Sequence, residues 1–497
     1  MARSSLFRWL WFWVPVILAI MWLARCAHAA DVQLVATPRA KPLAVSATNR
    51  PFLAANRTEQ PVQLKTAGYE EGEYLVSGLA NLYDWTANAR ATQLSVRNAA
   101  IPYTTRILVR RPADARKFSG IVVVELLDAG ERYDRAPLWA LSWQQFLRRG
   151  DVWVGVTVRP AAAAALRKFD TVRYGEVRIS PSQPANCSAS AADAGSGLAW
   201  DVIAQVGALL RSSSKENPLL DLHPHFVIGA GYGQAGAYLN TYANALHAVQ
   251  RRGDGAPIYD GYLNADSAQL SVPINQCDAP LPESDPRRHA LPRDVPFVTV
   301  MTEADFNLAP TLRRADSDAP EDVFRLYEIP GAAEAGSTPA GMPAAADLRI
   351  AGIVPSAGDT CDEATSDLPL GLVFNAIWQQ FADLFTADRA MLSLPRIETL
   401  DDGGPRHDEA GNASGGWRLP QLEEPLGVYG PHAAAACAQR ASLQPFDTAR
   451  LKSLYKDRNE YQRRFNAAVD RAVAERRLVA EDGEALKDQQ KQAVPAF

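Results

Sequence analysis

The chain is poor in the residues that build metal sites, with 5 cysteines and 7 histidines among 497 residues. The cysteines beyond the N-terminal segment are too far apart in sequence for a zinc motif, so we expect no metal and no cofactor. The chain also lacks a basic run or basic residues interleaved with aromatics, and its formal net charge is −5. This composition argues against nucleic acid as a partner and leaves a small-molecule ligand.

The first 29 residues have the three-part pattern of a secretory signal. Two arginines precede an apolar run from Trp9 to Ala24, and the small-residue motif Ala27-His28-Ala29 predicts cleavage after Ala29. The alternative is an uncleaved membrane anchor, but the run is short for a bilayer span and contains Pro15. We therefore expect an exported protein, periplasmic or secreted, that has no membrane contact after cleavage.

The remaining chain reads as an α/β protein, because short apolar runs alternate with amphipathic helical patterns. With 47% hydrophobic and 22% charged residues it can bury a large core. The strand-like runs are apolar on both faces, which predicts a mostly parallel central sheet with helices on both faces. Strands are expected at 105–109, 121–126, 152–158, 225–229, 297–301 and 324–329, and helices at 136–149, from 198 to 210, from 236 onward and at 370–385.

We expect residues 30–497 to form one domain. Two long insertions, at about 266–295 and 331–369, are rich in Ala, Gly, Pro and Asp, and insertions of this length usually cover a site or form a cap. Residues 31–66 show weak periodicity and are expected to be irregular. The C-terminal part, about 446–497, is expected to be helical, with Leu454 and Tyr461 on one amphipathic face that docks on the domain.

The stretch from His225 to His247 joins an apolar strand to a helix through a glycine-rich turn, Gly231 to Gly236. Such a connection forms either the nucleophile elbow of a hydrolase or the phosphate turn of a dinucleotide-binding unit. The spacing Gly231-x-Gly233-x-x-Gly236 fits the second setting, with Asp260 as the candidate ribose acid. The first setting needs a serine at Gly233. The dinucleotide-binding oxidoreductase stays an alternative, although exported proteins seldom meet nicotinamide cofactors.

The residues after the turn extend the comparison with hydrolases. Tyr238-Leu239-Asn240-Thr241-Tyr242-Ala243-Asn244 follows the turn, and further segments show the same likeness: Gly197 to Asp201, Asp260 to Leu263, Ile274 to Cys277 and Gly415 to Pro420. On these motifs the chain resembles the bacterial family labelled alpha/beta hydrolase domain-containing protein. The resemblance covers about residues 70–480. It implies an α/β-hydrolase fold of serine-esterase ancestry.

The family's catalytic residues map onto this chain with two departures. The nucleophilic serine position is Gly233, and the histidine position, after Tyr327-Glu328-Ile329-Pro330-Gly331, is Glu334. The acid position is retained in Thr302-Glu303-Ala304-Asp305, where either Glu303 or Asp305 is the candidate. Acyl transfer by this route needs a hydroxyl and a base, so the sequence predicts a non-catalytic or impaired binding protein.

The expected ligand carries a carbonyl or carboxylate, bound near the amide of Gln234 at a helix N-terminus, with Tyr232 as a wall of the pocket. Carboxylates at Glu334 and at the acid position are expected to lie close together, which raises one pKa. An active ester hydrolase that uses other residues, such as water activated by Glu334 or Asp305, stays an alternative. Asp128 follows a predicted strand at the oxyanion side, but the sequence assigns it no role.

Cleavage of the signal would remove Cys26 and leave Cys187, Cys277, Cys361 and Cys437. An even count in an oxidising compartment predicts two disulfides, with three possible pairings. Of these we favour Cys277 with Cys361, because both are expected on loops at the same end of the sheet. The sequence leaves the oligomeric state open.

Overall fold

The computed structural model describes most of the chain, in the following ranges: 32–46, 49–86, 93–180, 196–267, 271–282, 284–308, 313–334, 341–354, 364–366, 368–432, 437 and 440–497. The predicted signal segment lies outside these ranges. Within them, no helix combines the length and the apolar character that a bilayer span requires.

A ten-stranded, mostly parallel sheet forms the centre of the molecule. Its order is β11-β12-β10-β9-β7-β5-β6-β4-β3-β2, and the strands from β12 to β6 in this order run parallel. Antiparallel strands complete both edges. The strand bounds are β2 Arg39–Leu43, β3 Tyr69–Trp85, β4 Leu94–Pro112, β5 Ile121–Leu126, β6 Val152–Val156, β7 Phe226–Tyr232, β9 Gly261–Ala265, β10 Phe297–Thr302, β11 Ser317–Ala319 and β12 Asp322–Ile329. Two small sheets pair β1 (Gln33–Leu34) with β8 (Gln250–Arg251), and β13 (Gly427–Pro431) with β14 (Ala441–Pro445).

Helices cover the sheet and extend the C-terminal part. Every residue of β5 and β6 is buried, because these strands lie inside the sheet and have packed neighbours on both faces. The helix bounds in the described residues are α1 Pro137–Arg149, α2 Pro160–Phe169, α3 Ala199–Arg211, α4 Gln234–Ala245, α5 Glu303–Leu308, α6 Ala345–Ile350, α7 Gly371–Ala387, α8 Pro420–Glu423, α9 Thr448–Leu454, α10 Arg458–Ala474 and α11 Ala480–Ala493.

The predicted strands and helices are all present, but two expectations were wrong and one strand is longer than predicted. The segment 31–66 is not wholly irregular, since β2 pairs with β3 as an edge strand of the large sheet. The C-terminal face is not one helix: Leu454 ends α9, whereas Tyr461 lies on α10. The strand expected at 105–109 is only part of a long hairpin formed by β3 and β4.

The insertion at 266–295 has a single short helical turn, Pro286–Arg288, in its described part. The insertion at 331–369 contains α6, and much of the rest lies outside the described ranges. Cys277 and Cys437 are both disulfide-bonded. Because Cys187 and Cys361 are not among the described residues, the pairing of Cys277 with Cys361 stays a prediction.

Candidate active site

The turn between β7 and α4 is a tight strand-to-helix connection at the carboxyl end of the sheet. Gly233 precedes the helix with φ 57° and ψ −127°, a region that side-chain-bearing residues rarely adopt. An ideal Cβ on Gly231 would lie 2.5 Å from a backbone oxygen of α4, and one on Gly236 would lie 2.2 Å from Asn264 Oδ1. The glycine spacing therefore reflects close packing of strand, turn and helix.

The space above Gly233 is bordered by carboxylates. An ideal Cβ at this position would lie 3.5 Å from Asp128 Oδ1 and 3.7 Å from Glu334 Oε1. These are ordinary van der Waals distances, so a small side chain fits there. The structure thus brings the carboxyl groups of both Glu334 and Asp128 close to Gly233. Within the described part of the chain, the three atoms nearest to this point all belong to the carboxyl groups of Asp128 and Glu334.

Asp128 lies in the loop between β5 and α1, and Arg135 holds it in place. The backbones of the two residues exchange hydrogen bonds of 3.0 and 2.8 Å, and Arg135 Nε donates to Asp128 Oδ2 at 2.9 Å. Asp128 is only 1% exposed. Its other oxygen, Oδ1, faces Gly233 and has no hydrogen-bond partner within the described part of the chain. A buried carboxylate oxygen thus points at the vacant position.

A buried network of ion pairs connects the same loop to the adjoining strands. Asp134 Oδ2 accepts hydrogen bonds from Arg106 Nη2 at 2.8 Å and from the Thr157 hydroxyl at 2.5 Å. Arg106 lies on β4 and also contacts Glu73 Oε1 on β3, at 3.6 Å from Nε. These contacts fix the backbone that carries Asp128 and Arg135 to the adjoining strands.

Glu334 follows β12 and is held through its backbone. The Tyr232 hydroxyl donates to the Glu334 carbonyl oxygen at 3.0 Å. Tyr232 is buried at the end of β7, and its role as a pocket wall stays a prediction. Burial raises the pKa of the Glu334 carboxyl; Arg135, whose Nη2 lies 3.5 Å from Oε1, opposes this, and the nearby carboxylates of Asp128 and Asp305 reinforce it.

Asp305 is paired with a second aspartate that follows β9. The Thr302 hydroxyl lies 3.1 Å from Asp305 Oδ2 and 3.2 Å from Asp266 Oδ1, and the Thr302 amide donates to Asp305 Oδ2 at 3.0 Å. Burial and the adjacent Asp305 raise the pKa of Asp266 well above its usual value, and burial also raises the pKa of Asp305. Burial and the closeness of the two carboxyl groups therefore both favour a protonated form of the pair. Among the described residues, no group of three or more ligating side chains is arranged to hold a metal ion.

Glu303, the other candidate for the acid position, is engaged elsewhere. Its Oε2 accepts the amide of Gly331 at 2.7 Å, in the turn directly after β12. Burial raises the pKa of Glu303 to about 7, while the Gly331 amide and the positive charge of Arg418 oppose the shift. Of the two candidates, Asp305 is the one whose charge acts on Glu334. Glu303 instead fixes the turn that leads to Glu334.

Gln234 is the first residue of α4, and its side chain contacts the guanidinium of Arg159. Asp260, proposed above as a ribose acid, does not lie near the turn. It precedes β9 at the amino end of the sheet, where Oδ2 accepts the amide of Val227 at 2.6 Å and contacts Arg211. The turn lies at the opposite end of the strands, so Asp260 cannot serve as the ribose acid of the dinucleotide hypothesis.

Sequence reasoning missed Arg135, Asp266 and Thr302 as parts of this site and gave no role to Asp128. The sequence signal that could have found Asp128 and Asp266 is their position in the chain. Each follows a parallel strand, and the carboxyl ends of parallel strands meet at one edge of the sheet. Asp266 escaped because β9 was not recognised as a strand. Its φ of 50° is an uncommon backbone conformation that only the structure reveals.

Comparisons with known proteins agree with this architecture. The family model described as alpha/beta hydrolase domain matches residues 39–488. No curated protein matches the chain. Similar solved structures include brefeldin A esterase, a bacterial homologue of human hormone sensitive lipase, with 13% identity over 71% of this chain and 90% of that chain and a TM-score of 0.31. An esterase of Pyrobaculum calidifontis has 13% identity over 45% of this chain and 71% of its own, with a TM-score of 0.25.

A further similar structure is an alpha-beta serine hydrolase homologue from Coxiella burnetii, with 9% identity over 46% of this chain and 82% of that chain and a TM-score of 0.23. These likenesses are too distant to carry a residue's role or a substrate across. The family match extends over nearly the whole described chain, including the turn at Gly233 and the strands that surround it. The family match shows that the chain belongs to the alpha/beta hydrolase domain family and has the α/β-hydrolase fold.

Proposed function

We propose that the chain is an exported binding protein of serine-esterase ancestry that lacks the covalent route of ester cleavage. One observation carries this proposal: the groups that face the vacant position above Gly233 are the carboxylates of Asp128 and Glu334. A serine route needs a hydroxyl nucleophile and an imidazole that takes its proton. With both replaced, no acyl-enzyme forms at this turn.

The turn keeps the part of the machinery that binds a carbonyl. The first amides of α4 have no partner inside the helix and point from its positive end, where a carbonyl oxygen or an anion is favoured. A neutral carbonyl fits better than a carboxylate, because Asp128 and Glu334 border the site and Arg135 is already engaged by Asp128. Carbonyl-bearing ligands such as esters and amides are therefore the proposed class.

Ligand class is tested with a matched pair, hexanamide and hexanoate. We expect hexanamide to raise the melting temperature of the mature protein more than hexanoate does at equal concentration, because like charges oppose the carboxylate. Gly233→Val, which fills the vacant position, serves as the control and removes the hexanamide effect. Equal stabilisation by both compounds, unaltered in this variant, counts against binding at the turn.

Ancestry is tested by restoring the missing groups in the double variant Gly233→Ser with Glu334→His. We expect 4-nitrophenyl butyrate hydrolysis about 100-fold above either single variant, because nucleophile and base act together. A fluorophosphonate probe is expected to label the double variant at position 233. A folded double variant that is neither active nor labelled argues against the assignment of this site.

Export is supported by two independent features. The first 29 residues have the signal pattern described above, and Cys277 and Cys437 are disulfide-bonded, which fits an oxidising compartment. Of the alternatives, a dinucleotide-binding oxidoreductase loses support, since Asp260 lies at the other end of the sheet. An ester hydrolase that uses other residues gains support from the position of Asp128, whose Oδ1 faces Gly233.

A further inference from the structure

The carboxylate oxygens of Asp128 and Glu334 converge on one point, the place where a serine hydroxyl would stand. From an ideal Cβ on Gly233 they lie 3.5 and 3.7 Å away, and a hydroxyl oxygen would lie one bond beyond that Cβ. A water molecule in this place is within reach of both oxygens as hydrogen-bond acceptors. Glycine is the residue that leaves this volume to water.

The carboxylate of Asp128 is well placed to accept a hydrogen bond from a water molecule at this position. It is 1% exposed, and Arg135 engages Oδ2 alone, so Oδ1 is left without a hydrogen-bond partner within the described residues. A buried carboxylate oxygen without a partner is costly, and such groups in a folded protein call for an explanation such as a bound molecule. The ion network under Asp134 holds the loop so that Oδ1 keeps facing Gly233.

We propose that Asp128 is a catalytic base that, together with Glu334, holds a water at the vacant nucleophile position and directs it at the carbonyl of a bound ester. The inference rests on the proposed binding of a carbonyl at the first amides of α4. It replaces a covalent mechanism by a single-displacement hydrolysis. No acyl-enzyme forms, and each turnover uses one water and one ester.

The proposed hydrolysis has two steps. The water oxygen forms a bond to the acyl carbon while Asp128 Oδ1 takes one of its protons, and the carbonyl π electrons move to the oxygen that faces the Gln234 amide. When the tetrahedral intermediate collapses, the bond to the alkoxy oxygen breaks. The leaving oxygen takes a proton from the carboxyl of Glu334, whose partial burial favours the protonated form. Exchange with solvent returns the proton from Asp128 to Glu334.

The decisive measurement is turnover of 4-nitrophenyl butyrate by the purified mature protein and by Asp128→Asn. We expect slow hydrolysis above the buffer rate in the wild type and a fall in kcat of about 100-fold with little change in KM in the variant. Asp294→Asn is the matched control. That aspartate is half-exposed, pairs with His247 and Arg251, and lies outside this site, so its removal leaves kcat within about twofold.

Asp128→Asn weakens the contact with Arg135, so a second variant guards against a folding failure. Gly233→Ala keeps both carboxylates and places a methyl group where the water would stand, and we expect it to lose the turnover while it still melts cooperatively. Electrospray mass spectra taken during turnover are expected to show only the unmodified protein. An acyl adduct, or wild-type kcat in folded Asp128→Asn or Gly233→Ala, overturns the proposal.

Failure of this inference is separable from failure of the proposed function. A wild-type protein that hydrolyses nothing above buffer, yet is stabilised by hexanamide through position 233, overturns the water mechanism and leaves the binding function in place. If hexanamide has no effect and the double variant Gly233→Ser with Glu334→His has no esterase activity, both proposals are contradicted.

Discussion

Gly233 has a backbone conformation that a nucleophile would have to adopt under strain. With φ 57° and ψ −127° the residue lies in a region that is largely confined to glycine. Glycine therefore adopts this backbone conformation with less strain than a serine would, and it offers no reactive oxygen. The fold keeps the turn because Gly231 and Gly236 allow the strand and helix to approach, and neither of those positions has room for a Cβ.

The strain at this residue can be measured with Gly233→Ala. We expect the free energy of unfolding to fall by about 1–2 kcal/mol, because the added methyl meets only ordinary contacts and the cost is that of the backbone. Gly253→Ala is the control: nothing lies within 4 Å of its added Cβ and its φ is not positive, so we expect little change. Urea denaturation of both variants is the measurement, and equal losses would show that Gly233 is unstrained.

At the scale of elements, Glu125 connects β5 to the helix that follows the Asp128 loop. Its carboxylate accepts the amides of Leu138 and Trp139 at 2.8 and 2.9 Å, in the first turn of α1, and the indole nitrogen of Trp153 at 2.8 Å. Burial raises the pKa of Glu125 to about 7, and these hydrogen bonds oppose the shift. The side chain thus satisfies helix amides that would otherwise be buried without partners.

Replacing this carboxylate by an amide tests its role as the helix anchor. In Glu125→Gln one acceptor oxygen becomes an NH2 group that faces N–H donors, so we expect a loss of about 2–3 kcal/mol in unfolding free energy at pH 8. Glu131→Gln, at an exposed position in the same loop, is the matched control and is expected to change stability by less than about 0.5 kcal/mol. Guanidinium denaturation separates the two, and equal effects would contradict the anchoring role.

Sequence patterns predicted the parallel strands well because these strands are buried on both faces and read as short apolar runs. β5 was predicted at its observed bounds, 121–126. The long strand β3 was not predicted from the sequence, because it mixes buried and exposed residues. It also contains the charged Glu73, which is buried and has hydrogen-bond partners on other elements. β9 escaped because Gly261 and Asn264 weaken the strand pattern in a five-residue element.

Only those residues of the candidate site that lie in a family motif could be predicted from the sequence. Gly233 and Glu334 were placed by resemblance, and the structure brings them together. Contacts that arise from the fold had no local signal: the closeness of Asp128 to Gly233 depends on neighbouring strands β5 and β7. The choice of Asp305 over Glu303 likewise depends on which side chain the Gly331 turn engages.

At the scale of the whole molecule, a buried ion network connects the antiparallel edge of the sheet to the site. Arg106 has no exposed side-chain surface and lies between Glu73 and Asp134, which are also fully buried side chains. Removal of one member leaves an unpaired buried charge, which is far more damaging than loss of a surface pair. Asp134 is adjacent to Arg135, so the network also determines where Asp128 points.

Arg106→Met tests this connection. We expect a loss of about 3 kcal/mol in unfolding free energy, since among the described residues Asp134 keeps only the Thr157 hydroxyl as a side-chain partner. The matched control is Arg97→Met, which removes a partly exposed pair with Asp84 and is expected to change stability by less than about 1 kcal/mol. Chemical denaturation gives both values. A small loss in Arg106→Met would mean that the network contributes little to the fold.

We also expect the protonation of Glu303 to make the stability of the whole molecule depend on pH. Its pKa is about 7 in the fold and 4.5 for an ordinary carboxyl, so between these pH values the folded protein keeps a proton that the unfolded chain has released. Unfolding then releases a proton, and a rise in pH from 4.5 to 7 lowers the stability that this group contributes, by about 3 kcal/mol. Below pH 4.5 both states are protonated, and the contribution is fully present.

Glu303→Gln removes this titration and leaves an oxygen that accepts the Gly331 amide. We therefore expect the difference in unfolding free energy, wild type minus variant, to fall by about 3 kcal/mol as the pH rises from 4.5 to 8. Gly253→Ala changes no titrating group, and its curve should run parallel to that of the wild type. Urea denaturation at six pH values gives the slopes. A wild-type minus Glu303→Gln difference that is constant with pH, or that rises with it, would mean that Glu303 is ionised inside the fold at acidic pH, and the turn that positions Glu334 would then be held by a charge.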